Sequence, residues 1–169
     1  MSRKTSPRFL LVLVLAGVAC GCHAMDTFNP YPRISVLDFQ VAPQKTGQVA
    51  PESLAMLKDA SMRWLQNGGL FSEVAGDNTG GPETVFVEGI VAAYRPHRRG
   101  TRALAMFSGV DVQGESYIMY RFFDSTGRTL LQKNLQTRFM NCDPGMDPTA
   151  EAAGCELSRM VSWYKNIRS

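Results

Sequence analysis

The chain has 169 residues, with 18 Lys+Arg, 15 Asp+Glu and two histidines. Three of the 18 basic residues (Arg3, Lys4 and Arg8) and none of the 15 acids fall in the first 19 positions, so the remaining 150 residues are charge-balanced and large enough for one domain with a real core. That balance removes the general electrostatic ground for nucleic acid or an acidic surface as partner, and His23 and His97 alone are poor material for a catalytic triad or a histidine-based metal site.

Arg3, Lys4 and Arg8 precede an uninterrupted apolar run from Phe9 to Ala19, and small residues then lie beside Cys20 and Cys22. A charged, an apolar and a small-residue region in that order make an export signal. The run is well short of the roughly 20 residues a helix needs to cross a bilayer, and no later stretch is long enough either. Residues 1–19 are therefore expected to be cut away. The cysteine after small residues resembles the lipobox of bacterial lipoproteins, in which the thiol receives a diacylglyceryl group, the signal is cut just before it and the new amino group is acylated. Gly17-Val18-Ala19-Cys20 and Ala19-Cys20-Gly21-Cys22 both fit loosely, and neither has the Leu preferred three residues before the cysteine. Cys20 is favoured as the acceptor because Gly17 and Ala19 flank a small apolar residue, with Cys22 as the alternative. An ordinary secretory signal with chance cysteines is the competing reading. Several acyl chains, palmitate among them, hold a protein stably at about 0.8 kcal/mol per buried methylene, where a single chain is marginal. Neither Gly21 nor His23, the residues after the two cysteines, is the Asp that retains lipoproteins at the inner membrane of enteric-type bacteria. The expectation is outer-membrane attachment, facing the periplasm.

The next stretch, HAMDTFNPYPR, has two prolines and no period, so residues 20–33 read as a flexible tether leading into a single domain over 34–169. ISVLDFQV, bracketed by Pro32 and Pro43, is predicted as one strand with Ile34, Val36 and Leu37 apolar. From Pro51 a helix is predicted, with Glu52 near its positive end and Asn67-Gly68-Gly69 as its stop. Its stripe of Leu54, Leu57, Trp64 and Leu65 marks a core-facing side. LFSEVAGD offers a short strand and DNTGGP a loop. Three longer strands follow over Thr84 to Tyr94, Ser116 to Asp124 and Arg128 to Phe139, the last two joined as a hairpin through Asp124-Ser125-Thr126-Gly127. EAAGCELSRMVSWYKNIRS closes the chain as a helix with Leu157, Met160, Val161 and Tyr164 on one face. Strands in succession point to an α+β domain, an antiparallel or mixed sheet of four to five strands with two helices packed on one face.

Cys142 and Cys155 are expected to form a disulfide, because export places them where disulfides persist. The intervening DPGMDPTAEAAG is too rich in Pro and Gly to read as one regular element. Such a bridge contributes on the order of 3 kcal/mol when unstrained, whereas two thiols without a nearby histidine make at best half a zinc site. No G-x-S-x-G, H-E-x-x-H, Walker loop or C-x-x-C occurs. Gly80-Gly81 runs into Pro82, which lacks the backbone donor a phosphate cradle needs. Asp111 and Glu115 are possible paired carboxylates but flank a loop and read as solvated turn residues. No enzyme activity, cofactor or metal is expected. One constellation remains, RPHRRGTRALAMF, in which Arg95, His97, Arg98, Arg99 and Arg102 precede an apolar run. Guanidinium groups bind carboxylates and phosphates, lipid phosphates included. The competing reading is a solvated loop leading into a buried strand.

The stretch from Val87 to Leu130 resembles a family of bacterial lipoproteins catalogued as domain of unknown function 4410. The matching positions are Gly89, Arg98 to Arg102, Phe107 to Gly109 and Asp124 to Gly127, and Ala105-Met106 departs from the glycine expected there. The resemblance implies an exported α+β domain behind a lipoprotein signal, without catalytic residues. It also implies a fold like that of small envelope lipoproteins that are accessory parts of transport or secretion machines. The expected function is thus a membrane-anchored, non-enzymatic interaction or accessory subunit with an envelope protein as partner. The alternative is an anionic-ligand or lipid-headgroup binder acting through the Arg95–Arg102 loop.

Overall fold

The computed structural model describes residues 27–45, 49–96, 114–138 and 148–165. In chain order the regular elements are β1 (Arg33–Val36), β2 (Gln40–Val41), a 3-10 turn (Pro43–Lys45), α1 (Pro51–Asn67), β3 (Glu73–Ala75), β4 (Thr84–Arg95), β5 (Glu115–Phe123), β6 (Thr129–Arg138) and α2 (Pro148–Lys165). The strands form one sheet in the order β3-β1-β4-β5-β6, with β2 also paired to β4. β3, β1, β2 and β4 run parallel, and β5 and β6 extend the sheet antiparallel. The architecture is therefore α+β with a mixed, open sheet and two helices on one face. Its sixth strand, the two-residue β2, is the one that the sequence pattern does not resolve.

Alternation explains why β4, β5 and β6 pair as they do. Val85, Val87 and Val91 from β4 and Ile118, Tyr120 and Phe122 from β5 all point into one core with Leu57 and Leu65 of α1 and Leu157 and Val161 of α2. Fully burying one such aliphatic side chain contributes roughly 1.5–3 kcal/mol. Tyr120 is completely buried, and among the described residues its hydroxyl has no well-aligned hydrogen-bond partner. Burial pushes its pKa well above the usual phenol value, a shift that the nearby Ser61 hydroxyl eases only in part. Ser61 itself donates to the Leu57 carbonyl at 2.7 Å.

The stretch expected as one strand from Ile34 to Val41 breaks at Leu37–Phe39. Phe39 leaves the ladder and lays its ring over Gly89, where any Cβ would overlap the ring, and it meets Tyr120 edge-on at 5.9 Å. The ladder is re-entered immediately, since Leu37 N–H donates to Val87 O and Ala42 N–H to Val91 O, both at 2.9 Å. A second departure concerns the start of the domain. Phe28, inside the stretch expected as tether, is fully buried; it lies 4.9 Å from Phe122 and 6.1 Å from Tyr164, and Tyr31 is buried as well. Two aromatics among prolines anchor the chain there without any periodic signal.

The segment Pro148–Lys165 is one helix, so the helix expected from Glu151 begins three residues earlier, at Pro148. Pro148 stands at the first helical position, where its missing N–H costs nothing. Gly154 is required for a packing reason: a Cβ there would meet the Ala60 carbonyl oxygen of α1 at 2.7 Å. Among the described residues no helix is long and apolar enough to cross a membrane.

The connection from β3 to β4 crosses the sheet face opposite the helices. Ser35 of β1 donates its hydroxyl to the Asp77 carbonyl, and Gly80 lies against Thr84 and Phe86. Ser35 and Phe86 are buried for that reason, although they point away from the helices.

The β5–β6 hairpin turns as predicted. Gly127 adopts φ 82°, a left-handed conformation that favours glycine. The Asp124 carboxylate accepts from Thr126 Oγ1 at 2.6 Å, Thr126 N–H at 2.9 Å, Arg128 N–H at 3.1 Å and Arg128 Nε at 3.0 Å. The Thr126 hydroxyl foremost, against the opposing effect of desolvation, holds the Asp124 carboxyl below the usual carboxylate range. The folded value is lower than the unfolded one of about 3.9, so the contribution is complete above that pH and is lost as pH falls through the folded value. In urea melts, the stability advantage of the wild type over Asp124→Asn should shrink as pH falls below about 4. An advantage that stays constant down to about pH 2 would show that the charge does not hold the turn.

Candidate functional site

Of the residues singled out in the sequence, Arg95 and Cys155 fall within the described residues, whereas Cys20, Cys22, His97, Arg98, Arg99, Arg102 and Cys142 lie outside them, as does Asp111. Arg95 ends β4 and is exposed, and it pairs across the ladder with Glu115, the first residue of β5. The arginine-rich segment thus leaves and re-enters the sheet at neighbouring strand ends. Its root is fixed from the helical layer, because Thr149 Oγ1 in the first turn of α2 donates to Arg95 O at 3.2 Å. Glu115 accepts from Gln136 Nε2 at 2.8 Å across the β5–β6 ladder. Cys155 is disulfide-bonded and buried on α2.

A shallow cleft of about 250 Å³ opens where α1 meets the break between β1 and β2, lined by Asp38, Lys58, Asp77 and Glu88 among others. Each of its charged groups has a partner in the fold. Lys58 Nζ reaches Asp38 Oδ1 at 2.6 Å and Gly76 O at 2.5 Å, and so ties α1 to the ends of two parallel strands. Asp77 accepts from Thr79 Oγ1 at 2.6 Å and Thr79 N–H at 3.2 Å; the Thr79 hydroxyl, followed by that amide, holds its carboxyl below the usual range. Glu88 faces Arg121 Nε at 2.6 Å as an ion pair without hydrogen-bond alignment. Among the described residues no group of three or more His, Cys, Asp or Glu side chains could hold a metal ion. The Lys58 contacts and the Glu88–Arg121 pair tie separate elements together, whereas the Asp77 contacts are local to its turn.

The broader surface is the sheet face opposite the helices. Ile118, Tyr120 and Phe122 point into the core, so the alternate residues Tyr117, Met119, Arg121 and Phe123 lie on that outer face. Phe123 stacks on Phe86 with centroids 5.6 Å apart and planes at 18°, and the Arg121 guanidinium sits 4.9 Å over the Phe123 ring. Farther along, Ile90 stands opposite Met119, whose sulfur accepts from Gln132 Nε2 at 3.0 Å, and Tyr117 is 38% exposed beside Gln136. The face therefore carries a short apolar row bordered by amides and one ion pair. Its sequence signal was present in β5, where large apolar residues occupy both alternating sets rather than one.

Fold and surface together define a class: an open mixed sheet with a helical layer on one face and a semi-polar face on the other. No family model and no curated protein matches the chain. Among solved structures, the fold is similar to that of a variant PelC dodecamer from Paraburkholderia phytofirmans, at 15% identity over 84% of this chain and 91% of that one, with a TM-score of 0.50. A second PelC dodecamer structure from that organism gives 13% identity, 79% and 88% coverage and a TM-score of 0.48. Protein XCC0632 from Xanthomonas campestris, assigned to DUF330, gives 12% identity, 82% and 83% coverage and a TM-score of 0.45. At such identities the likeness is one of fold alone.

Proposed function

We propose that this chain is a lipid-anchored envelope protein, held through Cys20 at the outer membrane and facing the periplasm. It works without catalysis as an interaction or accessory subunit of an envelope assembly or transport system. The observation that carries the interaction role is the outer sheet face, where Ile90, Met119 and Tyr117 form an apolar row while the charged groups of the neighbouring cleft already have partners within the fold. The charged, apolar and small-residue order before Cys20 supports the anchor. A protein of similar fold, PelC, occurs as a dodecamer, which supports a role for this architecture as a building block.

Metabolic labelling with palmitate tests the anchor. Cys20→Ser should abolish the label and leave an uncleaved or soluble product, whereas Cys22→Ser should keep it. Release by the Cys22 change alone would move the acceptor, and release by neither would end the lipoprotein reading.

Affinity capture from the native envelope, followed by mass spectrometry, tests the contact face. Tyr117→Thr with Met119→Thr should reduce capture of the partner severalfold with the fold intact, since threonine suits a strand and keeps the ladder while removing the apolar surface. If capture instead falls when Arg98, Arg99 and Arg102 are replaced by Ser, and the residue of binding loses salt dependence, the contact lies in the arginine loop and is made to anionic groups. Capture unchanged by either set would refute the interaction role of both surfaces.

A further inference from the structure

We propose that the last turn of α2 rests on the phospholipid bilayer, with the indole of Trp163 inserted at the boundary between headgroups and acyl chains. The inference rests on the lipid-anchor reading above. Trp163 is 73% exposed, against 36% for Met56 and 38% for Tyr117, the other exposed large apolar side chains among the described residues. An exposed indole suits a membrane interface, where its apolar body is buried and its N–H stays wet.

Position supplies the second observation. The residue after Trp163, Tyr164, accepts the Phe28 N–H on its carbonyl at 3.3 Å and packs its ring 6.1 Å from that of Phe28. Lys165 Nζ donates to Tyr31 O at 2.7 Å and closes the same corner. The first described residues of the domain are thus tied to the final turn of α2. Seven Cα–Cα steps lead from Cys20 to Thr27 and reach at most about 25 Å when fully extended. A lipidated Cys20 therefore keeps this corner, and Trp163 with it, close to the bilayer. The root of the arginine loop touches α2 at its other end, at Thr149, and a helix of 18 residues sets the two ends about 27 Å apart.

Among the described residues of this turn the cations already have partners. Lys165 is turned inward over the Phe71 ring at 3.8 Å, and Arg159 pairs with Glu156 at 3.0 Å. The bilayer need carry no anionic lipid for the indole to insert.

The test uses the full lipidated protein reconstituted into phosphatidylcholine vesicles, with and without phosphatidylcholine brominated on its acyl chains. Flotation reports the anchor, and quenching of tryptophan emission by bromine reports insertion. Trp64, whose Nε1 donates to Glu151 Oε2 at 2.8 Å between the helices, serves as the internal reference. The wild type, Trp163→Phe and Trp64→Phe should all float. Trp64→Phe, left with Trp163, should lose most of its emission to bromolipid, and Trp163→Phe should lose little. If Trp64→Phe disturbs folding, the contrast between the wild type and Trp163→Phe gives the same reading. Flotation without quenching of Trp163 overturns the inference and leaves the anchor standing; this is also the outcome if the indole meets a protein rather than lipid. Failure to float removes the anchor and the inference together.

Discussion

Replacing Gly154 by leucine should destabilise the domain by about 3 kcal/mol, although the same change on an exposed helix would stabilise it by about 0.8 kcal/mol. The opposite signs come from one contact. A Cβ at Gly154 would sit 2.7 Å from the Ala60 carbonyl oxygen, 2.8 Å from its carbon and 2.9 Å from Trp64 Cδ1. Two of those three atoms are backbone and cannot step aside as a flexible side-chain end can. The helices must separate, and the core beneath them, with Leu57, Leu65, Leu157 and Val161, opens with them. Urea unfolding of Gly154→Ala and Gly154→Leu should show a graded loss in that order. A gain in stability from alanine would mean that the helices do not approach as closely as described.

Glu151→Ala should cost about 2 kcal/mol, through a different contact between the same two helices. The Glu151 side chain is almost completely buried, accepts the Trp64 indole N–H at 2.8 Å and pairs with the Arg63 guanidinium. Removing the carboxylate leaves the indole donor without its acceptor, whereas the half-exposed Arg63 returns to water at lower cost. The coupling is measurable: Glu151→Ala combined with Trp64→Phe should be less destabilising than the sum of the single changes by about 1 kcal/mol. Strict additivity would show that the indole hydrogen bond contributes nothing across the interface.

Where a segment satisfied its requirements locally, its structure was legible in the sequence. The alternation along Thr84 to Arg95 and the turn residues Asp124 to Gly127 need only near neighbours, and they appear where the pattern puts them. The break between β1 and β2 was not legible, because Phe39 leaves its strand to reach a gap made by Gly89, 50 positions away. The place of Gly154 inside the closing helix likewise depends on a distant contact. Read alone the residue is a helix breaker, yet its lack of a side chain is what allows α1 to approach. Phe28 and Tyr31 sit among prolines with no period, and their burial depends on Phe122 and Tyr164, which are remote in sequence. The outer sheet face was half legible. Large residues at Tyr117, Met119 and Phe123 mark it as semi-apolar, but the pairing of Arg121 with Glu88 follows from the register between two strands.

The placement of β1 has a mechanical consequence. A pull on the chain at Thr27 is met first by Phe28 and Tyr31, clasped to the end of α2, and then by β1. That strand is not at an edge: β3 lies on one side and β4 on the other, both parallel to it, and the Ser35 hydroxyl is fastened to the connection crossing beneath. Tension along the strand axis therefore loads two ladders in shear, so that their hydrogen bonds must yield together, whereas an edge strand peeled sideways would lose them one at a time. The domain is built to be tugged from its N-terminal end without coming apart.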